Sequence, residues 1–451
     1  MKMMKTWRRA ILTLEIVGAC SLLACGAPAP QDTTGLPSQS PRGAAAGPLV
    51  TLSVPDRSSA NVSIAAGGEL VAAAWGAATE SGSTDIYVAV SRDSGGTFAT
   101  PVLVSGPEAA AQISGEQPPR VTLVPHPTGE QSIVVVWTAK GQSGTRLLTA
   151  RSDDGGKSFG GVTTVQGSDA PGNRGWESIA TLPDGRVVAA WLDHRETAMP
   201  AAPSAPMHHE GQAHTGHAMP SDGAARAQLS KLYVGSIDGS EAPRIVTGGV
   251  CYCCKTALTA TGDGSLYAAW RHVYAGNLRD IAFAVSRDGG LSFSPPLRVS
   301  EDKWALDGCP ENGPAIAVDS EKRVHLVWPT LVPGVTAGSE PTLGLFYAVS
   351  SDGRSFSARQ RLATEGTPYH ATIAVNRAGA LTVAWDELAD GRRRPVYARG
   401  AGGSAAGFVR ETIAGASQGS FPVVASAGDG FVLAWTDTTT SPSRIAIQTL
   451  P

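Results

Sequence analysis

One short pattern recurs seven times along this chain of 451 residues: an apolar, β-type run that ends in tryptophan. Successive copies lie 50 to 62 residues apart, with a single longer spacing of 79 residues. Repeats of this period are typical of propellers and solenoids, in which each unit buries its apolar face against the next. The repeated tryptophans are Trp75, Trp137, Trp191, Trp270, Trp328, Trp385 and Trp435.

Each repeat contains the same order of short strands and turns. A first strand ends in a turn such as Asp184-Gly185, the tryptophan strand follows, and a third strand such as "DIAFAVS" precedes another turn and a fourth strand. Glycine and aspartate between short β-rich runs are typical hairpin signals. Four strands per repeat, arranged radially, predict an all-β protein that folds as a seven-bladed β-propeller.

The two ends of the repeat region complement each other. After Trp435 only one more strand fits, residues 444–450 ("RIAIQTL"), so the last blade lacks a strand. Residues 48–54 ("PLVTLSV") precede the first repeat and can supply it. Because pairing the two ends removes two exposed sheet edges, we predict that the N-terminal strand closes the last blade.

A second motif, Ser-x-Asp-x-Gly-x-(Ser/Thr)-Phe, follows the third strand of three repeats, and a shortened copy follows that of a fourth. The copies begin at Ser91, Ser152, Ser286 and Ser350. Aspartate accepts backbone N–H bonds and glycine provides positive φ, which suits a tight turn. The motif resembles the Asp-box (BNR repeat) of the sialidase-like propeller superfamily, and this resemblance in fold covers nearly all of residues 49–451. Sialidases usually have six blades, which leaves a six-bladed propeller as the alternative.

The N-terminus has the features of an export signal. Basic residues precede an apolar run, and "LLACG" at 22–26 resembles a bacterial lipobox, which implies cleavage before Cys25 and lipid attachment to its thiol. An ordinary secretory signal is the alternative. We interpret 1–24 as a lipoprotein signal peptide, 25–48 as a disordered tether and 49–451 as the propeller. We expect a protein anchored in the cell envelope, facing the periplasm or the surface, where disulfides are permitted.

Composition narrows the function classes. A net charge of −3 gives no sign of a nucleic-acid-binding protein, and we interpret the short run Arg392-Arg393-Arg394 as a solvated loop. No apolar run after the signal is long enough to span a membrane, so the predicted membrane contact is the lipid at Cys25.

The repeat geometry predicts where a ligand binds. Every inner strand of a propeller begins on the same face, and the loops after the tryptophan strands open there too, so residues distant in sequence converge. The residues that we expect on this ligand face are Arg120, Glu177, Asp193, Arg195, Arg271, Tyr274, Glu311, Tyr369 and His370.

Cysteines are concentrated on the same predicted face. "VCYCCKTAL" (250–258) opens the fourth repeat with three of them, and a further cysteine opens the fifth. One interpretation is at least one disulfide, most simply between the fifth-repeat cysteine and one of the three. The other is a thiolate site for copper or zinc with an added histidine ligand. The residues concerned are Cys251, Cys253, Cys254, Cys309, His194 and His272.

The longest spacing between tryptophans comes from an insertion at 197–230, in a loop of the same face. It contains "MHHEGQAHTGHAMP" and every methionine found after the signal peptide. Imidazole and thioether groups together suit a soft metal ion, with copper the leading candidate, and a disordered linker is the alternative. The proposed metal-capture residues are Met207, His208, His209, His214, His217 and Met219.

Three functions remain open at this stage. The first is an exported lipoprotein that binds a ligand or soft metal ion, copper or zinc, through its Cys/His face. The second, implied by the resemblance to exported propellers often labelled exo-alpha-sialidase, is a glycoside hydrolase acting on acidic sugars. A sialidase needs an arginine trio, a Tyr–Glu nucleophile pair and an acidic residue, and the chain lacks the family's Phe/Tyr-Arg-Ile-Pro sequence. Face placement alone suggests Arg120, Arg195 and Arg271 as the trio, and Tyr369 or Tyr274 with Glu311 as the pair. The third is a protein-interaction scaffold.

Overall fold

A computed structural model describes residues 46–106, 110–126, 129–198, 222–306, 308, 310–333, 340–401 and 407–451. The predicted signal peptide, most of the tether and the lipid site at Cys25 lie outside the described residues and stay predictions. None of the helices in the described ranges is both long enough and apolar enough to cross a membrane.

Within these ranges, 28 strands form seven antiparallel sheets of four strands each. The prediction of a seven-bladed β-propeller is thereby confirmed, and the six-bladed alternative is wrong. In the first six blades the strands run in chain order from the axis outward.

The first three blades carry the following strands. Blade 1 contains β2 (Ser58–Gly67), β3 (Leu70–Ala78), β4 (Thr84–Ser91) and β5 (Val102–Leu103). Blade 2 contains β6 (Arg120–Pro125), β7 (Gln131–Gly141), β8 (Gly144–Ser152) and β9 (Thr163–Thr164). Blade 3 contains β10 (Arg174–Thr181), β11 (Val187–Asp193), β12 (Lys231–Ser236) and β13 (Arg244–Gly248).

The next three blades repeat this order. Blade 4 contains β14 (Ala257–Ala260), β15 (Leu266–Tyr274), β16 (Leu278–Ser286) and β17 (Leu297–Arg298). Blade 5 contains β18 (Ala315–Val318), β19 (Val324–Val332), β20 (Thr342–Ser350) and β21 (Gln360–Arg361). Blade 6 contains β22 (Thr367–Val375), β23 (Ala380–Ala389), β24 (Arg392–Ala401) and β25 (Val409–Thr412).

The last blade joins the two ends of the propeller. It contains β26 (Gly419–Ala427), β27 (Gly430–Asp437), β28 (Arg444–Leu450) and, as its outermost strand, β1 (Val50–Leu52). Val50 lies opposite Ile447 and Leu52 opposite Ile445 in an antiparallel pairing. The predicted closure of the last blade by the N-terminal strand is therefore confirmed.

The seven repeated tryptophans form the contacts between blades. Each is at most 1% exposed. Trp137 of blade 2 packs among residues of blade 1, and Trp75 of blade 1 packs against blade 7. The same relation holds around the ring, with each tryptophan lying against the preceding blade. Each indole thus supplies a large apolar surface to one interface between blades.

The Ser-x-Asp turns are rigid hairpin turns, as their residue types predict. Asp93 accepts bonds from the Ser91 hydroxyl at 2.6 Å and from the Thr97 backbone N–H at 2.8 Å. These bonds lower the pKa of Asp93 to about 2. The turns follow the third strands and so lie at the end of the ring opposite the starts of the inner strands. The polar groups of these turns bond to one another within the turn.

Two short helices flank the described limits of the insertion. A 3-10 helix (Arg195–Ala198) follows β11, and helix α1 (Asp222–Leu229) leads into β12. No pattern in the sequence predicted α1. All six His and Met residues of the predicted metal-capture loop lie outside the described residues.

Closing the ring through β1 makes a prediction about stability. Leu52 is 6% exposed and belongs to the cluster around Trp75. We expect Leu52→Ala to lower the free energy of unfolding by about 2–4 kcal/mol, because a buried leucine loses its contacts and leaves a cavity. Thr51→Ala, on the exposed side of the same strand, should change it by less than about 0.5 kcal/mol. Equal urea denaturation midpoints for the two variants would contradict a stabilising closure.

Candidate functional site

The end of the ring where the inner strands begin, called here the strand-start face, collects residues from every blade. In these sheets the first residue of an inner strand lies opposite the last residue of the tryptophan strand beside it. Arg174 pairs with Asp193, and Gly419 pairs with Asp437. The predicted ligand-face residues occupy this face, but most of them have partners within the protein.

A four-residue plug, residues 114–117, closes the centre of the strand-start face. The Glu116 carboxylate accepts backbone N–H bonds from Lys255 at 2.9 Å and Gly313 at 2.8 Å, at blades 4 and 5. On the opposite side, a Cβ on Gly115 would lie 1.8 Å from Cε1 of Phe421 in blade 7, so only glycine fits there. The plug therefore spans the mouth of the central channel.

Beneath the plug lies a channel cavity of 210 Å³, lined by all seven inner strands. Two cations reach it. The Arg120 guanidinium donates to the Glu177 carbonyl at 2.7 Å, and Lys255 Nζ donates to the Ala371 carbonyl at 2.8 Å. Burial lowers the pKa of both cations and raises the pKa of the Glu177 carboxyl. The axis of the propeller thus holds buried cations that donate to main-chain carbonyls.

The three arginines suggested as a sialidase trio have separate partners. Arg195 donates to the carboxylate of Asp193. Arg271, 1% exposed, donates from all of its guanidinium nitrogens to main-chain carbonyls, including that of Asn312. Arg120 bonds below the plug. The structure therefore does not bring the three guanidiniums together as one open clamp for a carboxylate.

Several polar residues at the ends of the tryptophan strands bond the buried indoles. Side chains two positions apart on a strand share a face, so a residue at this spacing can reach the indole N–H. Trp191 donates to Asp193 at 3.3 Å, and Trp385 donates to Glu387 at 3.0 Å. Asp193 also pairs with Arg174 and Arg195. Burial raises its pKa, but these arginines outweigh burial and leave the pKa of Asp193 lowered.

His370 forms a polar group at the rim of the plug. Its backbone is in the left-handed region at φ 51°, at a bulge in β22. Its Nδ1 lies 2.7 Å from Oδ1 of the buried Asp386, whose other oxygen pairs with Arg393. Arg393 in turn lies over the Tyr369 ring, 4.3 Å from its centroid. This group leaves the imidazole oriented by a carboxylate, as a general base requires.

The two remaining predicted residues do not join the His370 group. Glu311 is exposed in the segment before β18, with φ 47°. Tyr274 lies beside His272, with ring centroids 4.6 Å apart. Its hydroxyl is buried without a hydrogen-bond partner in the described ranges, and burial raises the pKa of Tyr274 to about 12.

Three cysteines meet beside β15 and form what we call the thiol group: Cys251, Cys253 and Cys254. Cys251 Sγ lies 3.1 Å from Cys254 Sγ and 3.9 Å from Cys253 Sγ. All three sulfurs lie within 4.8 Å of one another, and the residues are 1%, 6% and 2% exposed. Cys251 and Cys254 are free thiols, whereas Cys253 is disulfide-bonded.

Two buried guanidiniums act on the thiol group. Arg279, on β16, donates from Nη1 to Cys251 Sγ at 3.3 Å. Burial raises the pKa of the Cys251 thiol, but the hydrogen bond from Cys254 and the charges of Arg279 and Arg271 outweigh it and lower the pKa to about 7. For Cys254, burial and the neighbouring Cys251 raise the pKa. The arrangement therefore favours ionisation of Cys251 over that of Cys254, because the Cys254 thiol donates to the Cys251 sulfur.

The two predicted histidine ligands lie outside the thiol group. Cys251 pairs with Arg271 on β15, so the next residue, His272, faces the other side of the strand and accepts a bond from Trp270 at 3.4 Å. His194 packs against Trp176, with ring centroids 5.2 Å apart. Burial lowers the pKa of both histidines to about 4. The structure thus corrects the expectation that either imidazole joins the thiols.

Cys309 lies outside the described residues, so its predicted convergence with the thiol group stays a prediction. Since Cys251 and Cys254 are free, the partner of Cys253 is a cysteine outside the described residues. Helix α1, at the C-terminal end of the insertion, packs its buried Ala227 against the thiol group.

Sequence reasoning missed the plug, Lys255 and Arg279. "SGEQPP" contains a glycine between polar residues and then two prolines, which indicates a turn but not its position. Lys255 directly follows Cys254, and only the fold shows that its side chain enters the channel. Arg279 is 28 residues from Cys251, and it reaches the sulfur because β15 and β16 are neighbours.

Comparisons with known proteins identify a shared fold. A scan against protein-family models and a search of curated proteins find no match. Among solved structures, an ulvan lyase bound to -[GlcA(1-4)Rha3S]- is 9% identical over 86% of this chain and 93% of its own, with a TM-score of 0.53. An α-L-arabinofuranosidase from Fusarium graminearum is 11% identical over 88% and 93%, with a TM-score of 0.50. A sialidase from Streptococcus pneumoniae is 9% identical over 76% and 67%, with a TM-score of 0.43. The likeness to the ulvan lyase and to the α-L-arabinofuranosidase is therefore one of fold.

The contact between Arg279 and Cys251 can be tested by titration. We expect Arg279→Gln to raise the pKa of Cys251 above about 7, because the thiolate loses a cationic hydrogen-bond donor. The measurement is ultraviolet thiolate absorbance against pH, with Cys251→Ser subtracted as the blank. Arg226→Gln is the matched control, since Arg226 lies over the Tyr252 ring rather than at the sulfur. The same titration midpoint in Arg279→Gln and wild type would refute this electrostatic role.

Proposed function

We propose that this protein binds a soft metal ion, copper or zinc, at the thiol group. The observation that carries the proposal is the convergence of three buried sulfurs within 4.8 Å. Thiolates are the protein ligands that select Cu(I) and Zn(II). A buried thiolate needs compensating positive charge, and here Arg279 and Arg271 supply it.

The insertion supports the same function. Its described ends, the 3-10 helix at Arg195–Ala198 and helix α1, contact each other, and α1 packs on the thiol group. The His and Met residues between them have the composition of a soft-metal capture segment. We propose that this segment collects the ion and that the thiol group binds it more tightly. A lipid anchor at Cys25 would hold both at the envelope.

Metal binding by the reduced protein tests this function. We expect the reduced protein to bind one equivalent of Cu(I) or Zn(II) per chain. In Cys251→Ser and in Cys254→Ser the affinity should fall by at least ~10–100-fold, which is what the loss of an outer-shell partner alone costs. Affinity is measured by competition with a chromophoric chelator. His272→Ala is the control, since its imidazole lies outside the thiol group. Binding that survives both cysteine substitutions would remove the thiol group as the site.

A second candidate function is recognition of an acidic glycan at the rim of the plug. The observation that favours it is the group formed by His370, Asp386, Arg393 and Tyr369, which combines an oriented imidazole, an arginine and an aromatic ring. Arginine suits a sugar carboxylate because its fork is bidentate. The likeness to an ulvan lyase solved with -[GlcA(1-4)Rha3S]- makes uronate-containing glycans the first ligands to test. Because the plug occupies the axis, the sugar would bind beside it.

Two arginines on one strand allow a matched test of this second function. Arg393 and Arg399 are both on β24 and both salt-bridged, to Asp386 and Glu411 respectively, but Arg399 lies at the opposite end of the strand. We expect Arg393→Ala to weaken binding of a uronate oligosaccharide about tenfold, and Arg399→Ala to leave it unchanged. Calorimetry and product release from the same oligosaccharide provide the measurement. Absence of binding by the wild type would eliminate this candidate.

A further inference from the structure

The thiol group contains two reduced sulfurs and one oxidised sulfur. Cys251 and Cys254 are free, while Cys253, whose sulfur lies 3.9 Å from that of Cys251, is in a disulfide. A sulfur in a disulfide carries no thiolate charge and is a poor metal ligand compared with a thiolate. In this state the group therefore offers two thiolate ligands, and its third sulfur is blocked.

We infer that the disulfide of Cys253 is a redox lock on the thiol group, and that reduction opens a site of three thiolates selective for Cu(I). This inference rests on the proposed soft-metal function and specifies both its ligand and its control. The disulfide controls the site directly, because the sulfur that it blocks, that of Cys253, lies within 4.8 Å of the sulfurs of Cys251 and Cys254.

The ligand count favours Cu(I) over Zn(II). In structural sites Zn(II) is almost always bound by four ligands. Three sulfurs form this group, and no imidazole or carboxylate of the described residues joins them. Cu(I) is satisfied by three thiolates, and soft sulfur ligands select it. The residues of the group are at most 6% exposed, which leaves little access for water as a fourth ligand.

The local charges favour the same ion. Three thiolates and one Cu(I) carry a net charge of −2, which the guanidiniums of Arg279 and Arg271 neutralise. Arg279 touches Cys251 directly, and the charge of Arg271 acts on both Cys251 and Cys254. A buried complex with balanced charge avoids the desolvation cost of an isolated ion. With the disulfide intact, two thiolates and Cu(I) give −1, and one buried cation is left in excess.

The opening step is a two-electron reduction. A phosphine attacks one sulfur of the disulfide, the S–S bond breaks, and water converts the phosphonium to a phosphine oxide, so that Cys253 and its partner both become thiols. Cu(I) then replaces the thiol protons without changing its own oxidation state. In the envelope an external dithiol would supply the two electrons and leave as its own disulfide.

The partner of Cys253 provides a variant that opens the lock without a reductant. That partner lies outside the described residues, and the sequence predicts Cys309. In Cys309→Ser, Cys253 has no disulfide partner and should remain a thiol. The thiol group would then offer all three ligands in the protein as purified.

The experiment is an anaerobic competition for Cu(I) between the full chain and a chromophoric chelator, before and after a phosphine reductant. Cu(I)–thiolate luminescence reports the thiol group separately from the His and Met residues of the insertion. We expect reduction to tighten Cu(I) binding by about 10–100-fold or more. Cys309→Ser should match reduced wild type without reductant, and Cys253→Ser should stay weak in both conditions. Near-ultraviolet circular dichroism confirms that each variant is folded.

The outcomes separate the lock from the metal site. Equal luminescence and affinity before and after reduction would refute the lock while leaving the soft-metal function intact. Absence of Cu(I)–thiolate luminescence in the reduced protein would refute the metal function itself. Tighter binding of Zn(II) than of Cu(I), each measured against a chelator of known affinity, would refute the selectivity. If Cys309→Ser still needs reductant to bind Cu(I) tightly, a different cysteine is the partner of Cys253. The change in the Cu(I) affinity of the wild type on reduction then decides whether the disulfide is a lock.

Discussion

The pairing of β1 with β28 is the constraint on which the rest of the molecule depends. Each blade buries its tryptophan against the preceding blade, so the ring is stable only if the first blade also has a neighbour. That neighbour is blade 7, and its outer strand comes from the N-terminus. Closure fixes the seven inner strands around one axis. It therefore also fixes the distances between loops that are hundreds of residues apart in sequence.

The sequence predicted the repeated strands and the closing strand, and it missed single contacts between distant loops. Seven tryptophan strands gave the blade number, because spacing and alternation are periodic signals. The face of each inner-strand start followed from the same topology. The plug was missed because Glu116 bonds to backbone N–H groups about 140 and 200 residues away, and no local pattern encodes such a contact. His272 was placed with the cysteines because it follows a repeat tryptophan on the same face, but alternation along β15 directs it to the side opposite Arg271.

Strained backbone marks the same face as the polar groups. In four blades the inner strand is irregular near its start, and one residue there has a positive φ between 51° and 58°: Asn61, Trp176, His370 and Phe421. A bulge of this kind re-aims a side chain and ends the regular pairing. Non-glycine residues in this region cost of order 1–3 kcal/mol each and persist only where packing enforces them. The plug packs on one of these residues, Phe421, against which Gly115 lies, so strain and the closed mouth meet at blade 7.

Because the plug closes the mouth of the channel, the free thiols Cys251 and Cys254 lie beside the axis and not on it. In a propeller with an open mouth the centre is the natural place for a ligand, because loops from all blades converge there. In this chain Glu116 closes that centre, and its charge acts on the two cations that reach the channel, Arg120 and Lys255. The thiol group lies next to this centre, since Cys254 precedes Lys255 in the chain, and its guanidiniums come from β15 and β16 rather than from the channel. Arg271 bonds main-chain carbonyls with all of its guanidinium nitrogens, whereas Arg279 also donates directly to Cys251 Sγ. That bond places a cation against a buried sulfur and favours negative charge on it.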